Sequence, residues 1–169
     1  MTLYAQPNST AWWLQQWAGR EFGNEHADII STVMMRYSNL AGKRKFELVE
    51  ASTYSTINYD EGDSILAEWR DLSKDAQSVY DALADWTRPA FFEMVLHPIL
   101  AGGNHYEIII GSAKNQLYAF QGRNSANTIA DHVLNRWQYD RTLKTWYDEL
   151  LGGKWKHMMD QTHFYNNYW

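Results

Sequence analysis

Residues 59–83 read YDEGDSILAEWRDLSKDAQSVYDAL. Within them Ile65, Trp69, Leu72, Ala76, Val79 and Leu83 recur at alternating steps of four and three. An α-helix turns once every 3.6 residues, so these six side chains fall on one face. Leu66 and Tyr80 widen the stripe. Asp60, Glu61 and Asp63 stand at its start, where negative charge complements the free N–H groups of a first turn. Gly62 weakens that turn slightly. A helix with so continuous an apolar stripe must bury it against other elements, and the rest of the chain supplies more helices.

Working outward, residues 10–22 form a shorter helical pattern with Trp13 and Trp17 one turn apart, closed by Gly23-Asn24. Residues 25–41 carry Ile30, Val33, Met34, Tyr37 and Ala41 in register, with Gly42 as the stop. Residues 124–151 place Ile129, Val133, Trp137, Leu143, Tyr147 and Leu150 near one face, with Asn124 or Ser125 as cap and Gly152-Gly153 as terminator. The middle is mixed. Pro89 suits a first helical turn and residues 92–100 read as buried, but Pro98 is expected to kink or end that helix. Gly102-Gly103 is expected to be a break. Ile108, Ile109 and Ile110 are locally strand-like, yet Tyr106, Ile109, Ala113, Leu117 and Phe120 fit a helical face too long for a typical strand.

The sum is an all-α fold, an antiparallel bundle of about five or six helices, with a tail over residues 1–9 and a single bundle domain over residues 10–169. Strands and helices do not alternate, which excludes a (β/α)₈ barrel.

Composition narrows the function. A chain of 169 residues with 45% hydrophobic and 21% charged side chains can bury one core. Nine Trp and eleven Tyr exceed what such a core needs, so some should meet another domain, a partner or a sugar. A net charge of −5 argues against nucleic-acid binding, which needs concentrated positive charge. The basic run Lys43-Arg44-Lys45 lies just past a helical pattern, where cations favour the helix C-terminus. There is no cysteine and hence no disulfide. No stretch is apolar enough to span a membrane, and residues 1–7 lack the features of a signal peptide. Asn8-Ser9-Thr10 matches a glycosylation sequon, which matters only in a secreted protein.

Three polar constellations stand out. His157, Asp160 and His163 recur at three-residue steps. Such spacing can seat a metal, but no fourth ligand is evident, so no metal and no cofactor is expected. Asp160, Gln161 and His163 suit sugar hydroxyls better than a metal, since such groups donate and accept, and a hydrogen-bonded polar turn that anchors the bundle to a neighbouring domain is the plainer reading. Arg123, Asn124 and Asn127 cluster at a helix start, where an anionic carboxylate would be attracted; simple capping is the plainer reading. Glu93 and Glu107 can be posed as an acid/base pair, though nothing in the sequence brings them together.

A set of motifs runs in order along the chain: RKFEL at 44–48, TYSTINY at 53–59, AEW at 67–69, PAFFEMVLHP at 89–98, KNQLYA at 114–119, QGRNSAN at 121–127 and GGKWKHMMDQTH at 152–163. Together they resemble the helical middle region of glycoside hydrolase family 115, the xylan α-1,2-glucuronidases. The MMDQTH run is the most distinctive. The resemblance implies a secreted parent enzyme that releases glucuronic or 4-O-methylglucuronic acid from xylan by inverting hydrolysis. It also implies that the two carboxyl groups needed for inversion lie on a barrel domain before this region, with a β-rich region after it. Neither flank is present in the chain, so it implies no catalytic residue here and a structural domain inactive in isolation. The expected partners are that barrel and β-rich region, with a xylan-derived oligosaccharide at the substrate-binding residues Arg123, Asn124, Asp160, Gln161 and His163. After His163 the family usually continues with a small residue and Gly, whereas this chain reads Phe164-Tyr165-Asn166-Asn167-Tyr168-Trp169. Two other roles suit the aromatic excess: a free-standing carbohydrate-binding module, or a homo-oligomer formed through that aromatic tail.

Overall fold

The stripe on residues 65–83 is buried along its whole length, with Trp69, Leu72 and Ala76 the most deeply enclosed. It belongs to α3 (Glu61–Ala82), one of a series of helices that includes α1 (Thr10–Phe22), α2 (Ala27–Lys43), α4 (Arg88–Phe91), α5 (His97–Phe120) and α6 (Ser125–Gly153). The computed structural model describes residues 9–161, and among them the only other regular elements are a 3₁₀ turn at Phe46–Leu48 and a π-turn at Phe92–Leu96. The fold is all-α, as the periodicity predicts. The sequon residue Asn8, the site residue His163 and the aromatic run from Phe164 lie outside the described residues.

Helix α5 is the centre of the bundle, packed against α3 on one side and along α6 on the other. α1 pairs with α2, and α2 leans on α3. Short connections such as residues 121–124 make the paired helices antiparallel. Ser9 starts α1 by accepting the Trp12 N–H on its Oγ at 3.2 Å. The aromatic heart lies where α3 and α5 cross, with the Trp69 and Tyr106 ring centres 5.3 Å apart and Phe46 and Tyr37 against the indole.

Two sequence expectations fail in the middle of the chain. Pro98 neither ends nor interrupts the helix: the chain stays helical from Arg88 to Phe120. The turn just before Pro98 widens instead, and the His97 N–H reaches back five residues to the Phe92 carbonyl. A π-turn there absorbs the crowding that a proline ring imposes on the carbonyl four residues earlier. Gly102-Gly103 is no break either. Both residues are buried inside α5. A Cβ on Gly102 would lie 2.9 Å from the Trp69 ring and 3.0 Å from the Phe46 ring, so the glycine lets α5 approach the aromatic heart. The true break comes inside the last turn of α6. Leu150 turns out of the helix at ψ 133°, and Leu151 and Gly152 take positive φ of 51° and 70°.

The tryptophans divide. Trp69 is core, and Trp17 and Trp155 pack on its edge. Trp13, Trp86, Trp137 and Trp146 are exposed, Trp86 by 81%. The helical spacing alone puts Trp137 on the buried face of α6, but Val133 one turn before it is only half-buried and Trp137 itself is exposed.

Candidate functional site

One cleft that brings two histidines, an aspartate and a lysine together is assembled from three parts of the bundle. α5 contributes His97 and His105, about two turns apart, and α6 contributes Asp140 and Lys144, one turn apart. Tyr37 of α2 and Phe46 of the 3₁₀ turn supply apolar wall. The cleft holds about 360 Å³. His105 Nε2 lies 3.0 Å from the Phe46 carbonyl, so in the neutral ring that nitrogen is the donor. Burial lowers the His105 pKa against the opposing pull of that carbonyl and of Asp140. The His97 ring sits edge-on to Tyr147 at 4.8 Å.

Lys144 joins the cleft to a polar knot that fastens the turn after α6. Its ammonium pairs with Asp148 one turn along the helix and with Asp160 at 2.8 Å. Asp160 also meets His157 Nδ1 at 2.8 Å, and the His157 N–H donates to Asp148 at 3.1 Å. His157 takes a positive φ of 73° to make that bond. The hydrogen bonds from Lys144 hold both aspartates below the usual carboxylate range, with His157 adding to the effect on Asp160. The same bonds raise the Lys144 pKa. Both carboxylates are thus committed to one ammonium, and the four residues bond one another.

The sequence-proposed site residues separate into two groups. Asp160 lies in the knot, with Gln161 exposed beside it. Arg123 and Asn124 stand at the opposite end of α6, 20 residues before Lys144, a rise of about 30 Å. There the Arg123 guanidinium covers the Tyr118 ring at 3.7 Å, and Asn124 caps α6 without a side-chain hydrogen bond. One ligand of sugar size therefore cannot bridge Arg123 and Asp160. His157 and Asp160 bond each other, and among the described residues no group of three or more His, Cys, Asp or Glu is placed to hold a metal ion.

Glu93 and Glu107 do not form a pair. They are 14 residues apart on one helical run, roughly 20 Å along its axis. Inverting glycosidases hold their two carboxyls about 6.5–9.5 Å apart. Glu93 acts on the Tyr147 phenol, whose pKa burial raises first and Glu93 raises further, while Glu107 is buried and takes Arg70 in a two-point bond plus His132 at 3.1 Å. The cleft residues His97, His105, Asp140 and Lys144 escaped the sequence reading. Two histidines eight residues apart on one helix and an Asp/Lys pair four apart on the next were the available signal.

The family model of glycosyl hydrolase family 115 matches residues 2–48. That span takes in the RKFEL motif and stops short of the others. No curated protein matches the chain. Among solved structures, a family 115 4-O-methyl-α-glucuronidase with specificity for decorated arabinogalactans superposes with a TM-score of 0.73 at 22% identity, over 90% of this chain. The two share a fold. This chain spans 21% of that enzyme's length. Among the described residues no helix is long and apolar enough to cross a membrane.

Proposed function

We propose that this chain is the helical domain of a family 115 α-glucuronidase, a scaffold without hydrolytic activity of its own. The observation that carries the reading is the coincidence of two comparisons. A family 115 signature covers residues 2–48, and the fold of nearly the whole chain recurs as about a fifth of a family 115 enzyme. The ordered motifs from residue 44 to residue 163 support it further. The chemistry of the bundle agrees: its buried carboxylate is bound by Arg70 and His132, and Asp148 and Asp160 share Lys144. The partners of such a scaffold are the barrel and β-rich domains of the enzyme, and its setting is extracellular. Exposed Trp13, Trp86 and Trp146 suit docking to those domains. The reaction served is release of glucuronic or 4-O-methylglucuronic acid from xylan. A second substrate, decorated arabinogalactan, is favoured by the specificity of the structural neighbour.

Complementation tests the reading. The remaining domains of a family 115 enzyme, prepared without their helical segment, are mixed with this chain and assayed for uronic acid release from glucuronoxylan and from arabinogalactan oligosaccharides. Restored release supports the scaffold role and identifies the polysaccharide. Absence of both association and release on either substrate overturns it.

A further inference from the structure

The loop that leads into α3 is built to hold its tip still. Ser55 Oγ accepts the Ile57 and Asn58 N–H groups at 3.2 and 2.9 Å. Glu61 Oε2 accepts the Ser55 N–H at 2.7 Å, and the Gly62 N–H returns to the Ser55 carbonyl at 2.9 Å. Gly62 is buried, and a Cβ there would stand 3.2 Å from both Ile110 and the Ser55 carbonyl oxygen, so the loop closes tightly on α5. Within this frame Tyr59 and Asp60 take consecutive left-handed conformations, with φ of 57° and 50°, which a bulky side chain rarely adopts. Residues other than glycine keep such a conformation only where their surroundings impose it.

The frame holds apolar side chains out in water. Tyr59 is 100% exposed and Ile57 70%, and Phe120, the last residue of α5, is 91% exposed. Among the described residues these are three of the four most exposed large apolar side chains, Trp86 being the other, so the exposure is concentrated rather than scattered. They share one end of the bundle. Gly62 abuts Ile110 and Asp63 pairs with Lys114, which sets the start of α3 beside α5, and Phe120 follows Ile110 by a rise of about 15 Å. That spread fits one interface of standard size, about 800 Å² a side. Charge around the tip selects what can cover it. From Phe46 to Trp69 the chain carries Glu47, Glu50, Asp60, Glu61, Asp63 and Glu68 and no Lys or Arg. Lys114 and Lys43 take Asp63 and Glu68, while Glu50, Asp60 and Glu61 stay exposed. A second copy docked about a two-fold axis at Tyr59 would set Asp60 and Glu61 against their own images, so like charges oppose self-association. An anionic ligand is disfavoured for the same reason.

We propose that this end is a preformed docking surface for a neighbouring domain of the same enzyme, with Tyr59 entering an apolar pocket whose rim is basic. The inference deepens the scaffold reading and rests on it. An aromatic side chain on a loop already fixed loses little freedom on binding, and tyrosine is among the residues that dominate interfaces.

The test is titration calorimetry of this chain against the folded barrel and β-rich domains of a family 115 enzyme, at low and at moderate salt. Tyr59→Ala should weaken association at least about tenfold and Phe120→Ala about threefold. Asp60→Lys should weaken it about fivefold at low salt, with a deficit that shrinks as salt rises. Tyr59→Phe keeps the apolar anchor and should stay within about twofold of the parent, as should Met158→Ala, an exposed side chain at the opposite end of α6. The Tyr59 side chain is wholly exposed, so Tyr59→Ala should melt within about 2 °C of the parent, which separates lost docking from lost fold. Association unchanged by both Tyr59→Ala and Asp60→Lys overturns the proposal and leaves the scaffold reading standing, whereas no association by the parent chain sinks both. Self-association of the chain alone that Tyr59→Ala abolishes, read by light scattering, would assign this end to a second copy and also overturn the proposal.

Discussion

The seam between α3 and α5 and the knot at the end of α6 use similar residue types to opposite ends. At the seam, Gly102 lets two helices close on Trp69, and Glu107 is sealed beneath Arg70 and His132. At the knot, Lys144, Asp148, His157 and Asp160 bond one another at the surface and fasten a turn with positive φ at Leu151, Gly152 and His157. Burial is what separates them. A charge taken from water must be matched, and its removal leaves partners or space that the packed interior cannot repair. A surface network is screened by water, so its members are individually dispensable. The seam therefore holds the fold, and the knot sets the shape of one end.

The sharpest way to break this contrast is Gly102→Val. Two methyl groups forced against Trp69 and Phe46 should destabilise the chain by about 3 kcal/mol, read as a lowered urea midpoint. Glu107→Ala comes next, at about 2 kcal/mol by the same measurement. The loss stays below that of a fully buried pair because Arg70 can turn its charge to solvent. The seam also has a pH dependence that follows from Glu107. Burial pushes the Glu107 pKa up, but the hydrogen bonds from Arg70 and His132 and the nearby Arg136 charge outweigh it, and the net shift is downward. A depressed carboxyl stabilises the fold above its unfolded pKa, about 4.3, and that contribution is lost as pH falls through the lower folded value. Glu107→Gln should therefore flatten the fall in stability below about pH 4.3, which an acid titration of melting temperature will show. The smallest effect belongs to Asp160→Asn. It should leave the melting temperature within about 2 °C of the parent while loosening the turn, seen as faster amide exchange at His157. A large loss of stability in that variant would erase the distinction between seam and knot.

The helices were legible because their stripes are long: the six positions from Ile65 to Leu83 could share a face only on a helix, and all six are buried. Pro98 and Gly102-Gly103 were misread for one reason. Local preference treats each as a breaker, and tertiary packing decides otherwise. A π-turn accommodates the proline, and the glycines are kept for the close approach of Trp69. The site was less legible. Asp160 was identified by its neighbours in sequence, but its partners Lys144 and Asp148 lie on the helix before the break, and only the reversal at Leu150–Gly152 brings them together. Arg123 and Asn124 were grouped with Asp160 by chemistry alone, and the length of α6 keeps them apart.

The most direct measurement is uronic acid release from short glucuronoxylan and arabinogalactan oligosaccharides by the pure chain, shown to be helical by circular dichroism. The account predicts no release from either substrate by the folded chain. Release that survives repurification would contradict it, and would mean that the bundle carries carboxylate chemistry of its own.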